Sequence, residues 1–189
     1  NRNFILLNSE RYLINLILSG ASSNKTINEI EVQSNQVKLK KTIESAYKKA
    51  PMFDKVFPVL TNIMEYEKKE LGQFLGNSIK ELCNYMSINT ELIYSSKIEK
   101  DNTLKAQDKV MQICNILKAD KYLNAIGGQA LYNKDDFKKQ NIELHFLNSS
   151  SKPYTQFNNE FVPYLSIVDV LMFNSVEKVK DILNDYNIL

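Results

Sequence analysis

Tryptophan is absent from this chain of 189 residues, and histidine occurs once, at His145. With a single imidazole and no Cys-x-x-Cys spacing, the usual nitrogen and sulfur donor sets for zinc cannot be assembled, so no metal is expected. Cysteine is nearly as scarce, with Cys83 and Cys114 alone. Each falls on the apolar stripe of an expected helix, with Ile79, Leu82 and Met86 around the first and Val110, Ile113 and Leu117 around the second. Without a secretory signal, such a pair reads as two buried free thiols rather than a disulfide framework. No apolar run reaches the length of a membrane span, so no span is expected. Excess charge of either sign is also missing. The 24 basic residues against 22 acidic ones argue against a nucleic-acid-binding surface. Among the cations only Arg2 and Arg11 are arginines. Because a guanidinium is the usual bidentate partner of phosphate or carboxylate, these two positions draw more attention than any lysine.

What is present is ordinary for a folded protein. Hydrophobic residues make up 43% and charged residues 24%, and the length suffices for one domain, 1–189, with a proper core. Residues 2–7 and 11–18 are strand-like around polar Asn8-Ser9-Glu10, which reads as a β-hairpin. Both arms are apolar enough to require cover. Gly20 to Lys25 is a loop, and Thr26 to Val32 alternates weakly, as a third strand or edge would. Helical spacing begins at Val37, with Leu39, Ile43, Ala46, Tyr47 and Ala50 in phase and Pro51 forcing the stop. A second helix is expected from about Asp54 to Tyr66, tolerating Pro58 only in its first turn. A third places Leu71, Phe74, Leu75, Ser78, Ile79, Leu82, Cys83 and Met86 on one stripe; Gly76 within it costs on the order of 1 kcal/mol against alanine. Glu91 to Tyr94 is a short strand candidate, and Leu104 to Lys118 a fourth helix. Asp135 to Gln140 is a short helix capped by Asn141, Ile142 to Leu147 a strand, and Ser175 to Tyr186 a final amphipathic helix. Strands and helices do not alternate regularly, so the expected fold is α+β, predominantly helical with a small antiparallel or mixed sheet.

The chemistry-bearing positions concentrate near the end, in Tyr154 to Asn174. Ser166 and Asp169 stand three apart at the head of an apolar run, the spacing of a capping box, with Leu165 and Val170 placed to staple it. A helix start also offers N–H groups to an anion, so capping and binding are compatible. Tyr154 and Gln156 lie on a loop, where polar side chains serve ligands as readily as packing. At the other end of the chain, Arg2 is flanked by Asn1 and Asn3. A guanidinium with two amides can fix the orientation of a phosphate or carboxylate; otherwise it is a solvated strand end. The adjacent Gly127 and Gly128 read as a tight turn needing φ > 0 or, more weakly, as a phosphate cradle. Alternation in I-E-L-H-F-L puts His145 opposite Leu144 and Phe146, beside Glu143, a placement more usual for a packed or solvent-facing histidine than a catalytic one. No Ser-His-Asp, paired-carboxylate or metal constellation emerges, so no catalytic residue is assigned. A transferase that works by positioning leaves little more trace than this.

Several fragments together resemble the WbqC-like family of bacterial proteins. They are Asn1-Arg2-Asn3-x-Ile5, Tyr47-x-x-Ala50-Pro51-x-Phe53, Tyr122 with Gly127-Gly128 and Tyr132, and Phe137 with Ile142 to Phe146. Tyr154-x-Gln156 and Phe161-x-Pro163-x-Leu165-Ser166-Ile167-x-Asp169-x-Leu171 complete the set. Their order and spacing run over essentially the whole chain. Family members normally begin upstream with an aromatic-, proline- and glycine-rich stretch and an aspartate-bearing strand, so a chain starting at Asn1 is expected to be N-terminally truncated or partial. Asn124-Ala125 stands in place of the usual Ser-Gly, Asn174-Ser175 in place of Asn-Gly, and the proline of the second strand is replaced near Leu16, which marks a divergent member.

The resemblance implies a cytoplasmic protein of surface-polysaccharide (O-antigen type) biosynthesis. Its ligand would be a small molecule, specifically a nucleotide-linked amino sugar, with transfer of an acyl or aminoacyl group to it as one activity; no cofactor is implied. The binding residues would be Asn1, Arg2, Asn3, Gly127, Gly128, Tyr154, Gln156, Ser166 and Asp169, gathered on one concave pocket. The alternative is a non-enzymatic interaction module in a glycan-assembly complex, which predicts a contiguous apolar patch and no polar-lined cleft. Substrate, donor and oligomeric state are left open by the sequence.

Overall fold

A computed structural model describes residues 1–33, 35–157 and 160–189. The elements run β1 (Arg2–Leu7), β2 (Glu10–Asn15), β3 (Leu18–Ser19), β4 (Glu31–Val32), α1 (Gln36–Tyr47), α2 (Phe53–Met64) and α3 (Leu71–Tyr85). There follow α4 (Ala106–Ile116), β5 (Lys121–Ala125), α5 (Lys134–Lys139), β6 (Glu143–Ser149), α6 (Ile167–Phe173), α7 (Val176–Leu183) and β7 (Tyr186–Ile188). The fold is α+β, with helix predominating and the strands in small sheets of two or three. The chain divides into two compact units, one comprising Asn1–Leu92 and Ser151–Leu183, the other Ile93–Ser150 and Asn184–Leu189. None of the helices among the described residues is long and apolar enough to cross a membrane.

In the first unit, β1 and β2 pair antiparallel from Arg2↔Asn15 to Leu7↔Glu10. Their turn is Asn8-Ser9, with φ of 51° and 65°, the left-handed pair that matches the twist of a two-residue hairpin. The expected second arm, 11–18, is split. β2 ends at Asn15, and Leu18–Ser19 pairs instead with Glu31–Val32. The expected third strand is shortened to β4 because Thr26 and Glu29 form a capping box, which turns Ile27–Glu29 into a 3-10 helix. α1 ends ahead of Pro51 with Ile43 and Tyr47 buried.

Pro58 lies beyond the first turn of α2, contrary to expectation, and it does so on an exposed face. There water can serve the carbonyl that proline leaves without an N–H donor. The stripe on α3 is narrower than its spacing implied: Leu71 and Phe74 are buried, Ile79 is exposed, and Cys83 is half-buried rather than enclosed. Glu91 to Tyr94 forms no strand; the segment has no ladder partner among the described residues and runs into a 3-10 turn at Ser95–Lys97. The core of this unit gathers Ile5, Leu6, Tyr47, Val56, Leu171 and Met172.

The second unit holds a mixed sheet ordered β5-β6-β7, with β5 parallel and β7 antiparallel to β6. Neither β5 nor β7 was expected, and the helix expected through Tyr186 ends at Leu183. β6 follows its alternation: Leu144 and Phe146 are buried and His145 lies half-buried between them. Phe137 of α5 fills the core beside Met111 and Cys114 of α4. Asn133 caps α5 by accepting the Asp135 N–H at 2.9 Å, and Asn141, at φ 60°, closes it. Gly127 and Gly128 sit in a 3-10 helix, Ile126–Leu131, and neither has a positive φ. The φ > 0 reading is therefore corrected. At Gly128 the constraint is close approach, because a Cβ there would lie 2.5 Å from Asn124 Nδ2 and 3.3 Å from Tyr132 Cε2. At Gly127 a Cβ would meet nothing within 4 Å.

Candidate functional site

The first unit carries a buried carboxylate at the start of α6. Ser166 is the N-cap, and its Oγ accepts the Val168 N–H at 3.3 Å. The reciprocal half of the expected capping box is not made. The Ser166 N–H donates instead to the Phe4 carbonyl of β1 at 2.7 Å, which frees the Asp169 side chain to turn inward. Asp169 is fully buried. Its Oδ2 accepts from the Tyr47 hydroxyl at 2.7 Å, and its Oδ1 accepts from the Tyr154 hydroxyl and from Gln156 Nε2, each at 2.7 Å. The Tyr47 oxygen in turn accepts the Leu6 N–H at 2.8 Å. Gln156, itself fully buried, closes its own loop: Oε1 accepts the Val162 N–H at 2.7 Å and Nε2 donates to the Val162 carbonyl at 3.2 Å. Asn158 and Asn159 of this loop lie outside the described residues.

Three neutral donors thus take the place of a cation around this carboxylate, and charge-assisted hydrogen bonds of that kind are the stronger ones. Burial first, and then the neighbouring Asp169, push both the Tyr47 and Tyr154 phenols far above their ordinary range. Both remain protonated donors at neutral pH. Among the described residues, no buried side-chain nitrogen or oxygen lacks a partner. The network therefore works as a clamp that ties β1, α1, the 154–162 loop and α6 together.

A cavity of about 260 Å³ opens in the same unit, near the lower limit of small-molecule pockets, roughly 300 Å³. Its exposed rim is Asn1, Arg2 and Asn3 of the β1 end with Asn15 of β2, the residue paired with Arg2. Ser166 also lines it, and the interior is Ile43, Leu60, Ile63, Phe74, Leu82 and Val168. The two arginines differ in commitment. Arg11 stacks over the Phe4 ring, 4.3 Å from its centroid. The Arg2 guanidinium has no hydrogen-bond or ion-pair partner among the described residues. The flanking amides are partly used: Asn1 Nδ2 donates to the Leu16 carbonyl at 3.2 Å, and Asn3 Oδ1 accepts the Phe4 N–H at 2.8 Å.

Of the residues singled out in the sequence, Asn1, Arg2, Asn3 and Ser166 share this cavity. Tyr154, Gln156 and Asp169 do not line it; they bond to one another and to Tyr47. Gly127 and Gly128 belong to the second unit. There His145 Nε2 lies 3.3 Å from Glu143 Oε2, with Lys121 Nζ 3.7 Å from the same oxygen. That hydrogen bond, and then Lys121, lower the Glu143 carboxyl below its ordinary value. Tyr47 was missed as a member of the network because on its helix it counts as one more apolar position. The fragment Tyr47-x-x-Ala50-Pro51-x-Phe53 held the signal.

Compared with known proteins, the model of the WbqC-like protein family matches residues 1–181 of the chain. No curated protein and no solved structure matches it.

Proposed function

Because the chain belongs to the WbqC-like protein family, a membership that suggests a role in polysaccharide-associated biosynthesis, we propose that it binds a nucleotide-linked amino sugar. The setting would be surface-polysaccharide (O-antigen type) biosynthesis in the cytoplasm, and the reaction transfer of an acyl or aminoacyl group to the sugar. The observation that carries this reading is Arg2, a guanidinium at the rim of the cavity without a partner among the described residues. A planar cation flanked by two amides matches the phosphate of such a ligand in charge and shape. The transfer is assigned to positioning: the sugar amine attacks the acyl carbon, the amide C–N bond forms, and the carrier leaves with the amine proton. Holding the two groups together supplies most of what such a step needs.

A thermal-shift panel of nucleotide sugars, including ones with a free amine such as UDP-glucosamine, tests the reading. One member is expected to stabilise the chain, by about 2.7 kcal/mol at a hundred times its dissociation constant, and Arg2→Gln is expected to remove most of that gain. A flat response across the panel would favour the interaction-module reading. That reading has its own support in Val37 and Tyr164 of the first unit, 72% and 73% exposed.

A further inference from the structure

We propose that the cavity of the first unit holds the hydrocarbon chain of a single-chain acyl compound whose anionic end lies at Arg2. This deepens the reading above and rests on its assignment of the Arg2 rim as the ligand site. The interior offers aliphatic and aromatic carbon from Ile43, Leu60, Ile63, Phe74, Leu82 and Val168. Each of its two serines already makes one hydrogen bond. Ser78 Oγ donates to the Leu75 carbonyl at 2.7 Å, and Ser166 Oγ accepts the Val168 N–H. A sugar ring or nucleobase placed inside would surrender most of its hydrogen bonds to water without replacement, whereas a hydrocarbon surrenders none. The rim reverses this preference. Among the described residues, Arg2 is the only charged side chain lining the cavity, and no carboxylate lines it to repel an anion. An apolar interior below an uncommitted cation selects a molecule with a tail and a negative end. The modest volume limits the tail to a short or medium chain.

The same chemistry comes from two sources, a free fatty carboxylate or an acyl thioester on a phosphate-bearing carrier. Calorimetric titration of the chain with octanoate, octanoyl-coenzyme A and coenzyme A separates them. Binding of octanoate, or of octanoyl-coenzyme A well above coenzyme A, with a negative heat-capacity change, is the expected result. Octanoyl-coenzyme A binding without octanoate binding assigns the carrier-borne source. Arg2→Gln, an exposed change that leaves the fold intact, should weaken binding roughly tenfold, and Ser78→Phe, which fills the interior, should abolish it. If neither acyl compound binds a chain with an unaltered melting transition, the proposal is overturned, whatever the nucleotide sugars do. Acyl binding unchanged in both variants would overturn it equally. Acyl binding without any response to nucleotide sugars would keep this inference and remove the sugar from the proposed function.

Discussion

Asp169 in the first unit and Phe137 in the second are both wholly buried, yet their surroundings hold them by different means. Phe137 lies parallel to Tyr122, ring centroids 5.8 Å apart with planes 7° from each other, and Tyr132 tilts against both. Asp169 is fixed by three directional bonds from Tyr47, Tyr154 and Gln156. A ring stack tolerates a change of shape at modest cost, because its attraction is spread over many weak contacts. A carboxylate held by three donors does not, since each orphaned donor is left in a medium without water. The directional device sits in the unit that also holds the Arg2 rim, and it bonds to the strand that carries Arg2. The second unit's core provides packing; the first unit's provides packing and placement together.

The most severe way to test this contrast is Asp169→Ala, which orphans two hydroxyls and an amide and should cost on the order of 4 kcal/mol. Phe137→Leu should cost only about 1.5 kcal/mol. Urea unfolding of both variants measures the difference, and equal losses would erase it. Next in size is Tyr47→Phe, expected at about 2 kcal/mol because it strips a donor from Asp169 and the acceptor from the Leu6 N–H. Tyr154→Phe should cost nearer 1 kcal/mol, since Gln156 still serves the same carboxylate oxygen.

The pH dependence sharpens the comparison. Tyr47 and Tyr154 are raised above the ordinary phenol value of 10, so the folded state keeps protons that the unfolded chain gives up. The stability they contribute is therefore complete below pH 10 and falls as pH rises above it. Tyr122, pushed up to about 12 chiefly by burial and then by Tyr132, loses its share between pH 10 and about 12. Stability followed from pH 9 to 12 should decline less steeply in the Tyr47→Phe, Tyr154→Phe double variant; an identical slope would mean that these phenols are not held protonated. The glycines lie at the small end. Gly127→Ala should be neutral or stabilise by about 0.5 kcal/mol, while Gly128→Ala, crowding Asn124 and Tyr132, should destabilise by about 1 kcal/mol.

The parts of this fold that were legible in the sequence are those written in local periodicity. The β1–β2 hairpin announced itself through two apolar arms about a polar turn, and α1 through Leu39, Ile43 and Tyr47 before a proline. β7 carried no such pattern because Tyr186, Asn187 and Ile188 are all exposed. β5 was hidden because its pairing with β6 is parallel and depends on the intervening α5. At the candidate site, Ser166 as a cap was readable from spacing. The Asp169 network was not, since its Tyr47 hydroxyl arrives from 122 residues away. Nor does local spacing reveal that the Ser166 N–H is taken by Phe4, the bond that leaves Asp169 free to turn inward.

Where a ligand engages the chain matters most. Hydrogen exchange measured with and without a saturating amount of the nucleotide amino sugar that gives the largest thermal shift locates that engagement directly. Added protection is predicted in Arg2–Leu7 and in Ile167–Phe173, and it should vanish in Arg2→Gln. Protection confined to Lys121–Ala125 and Glu143–Ser149, or none in either unit, would contradict it.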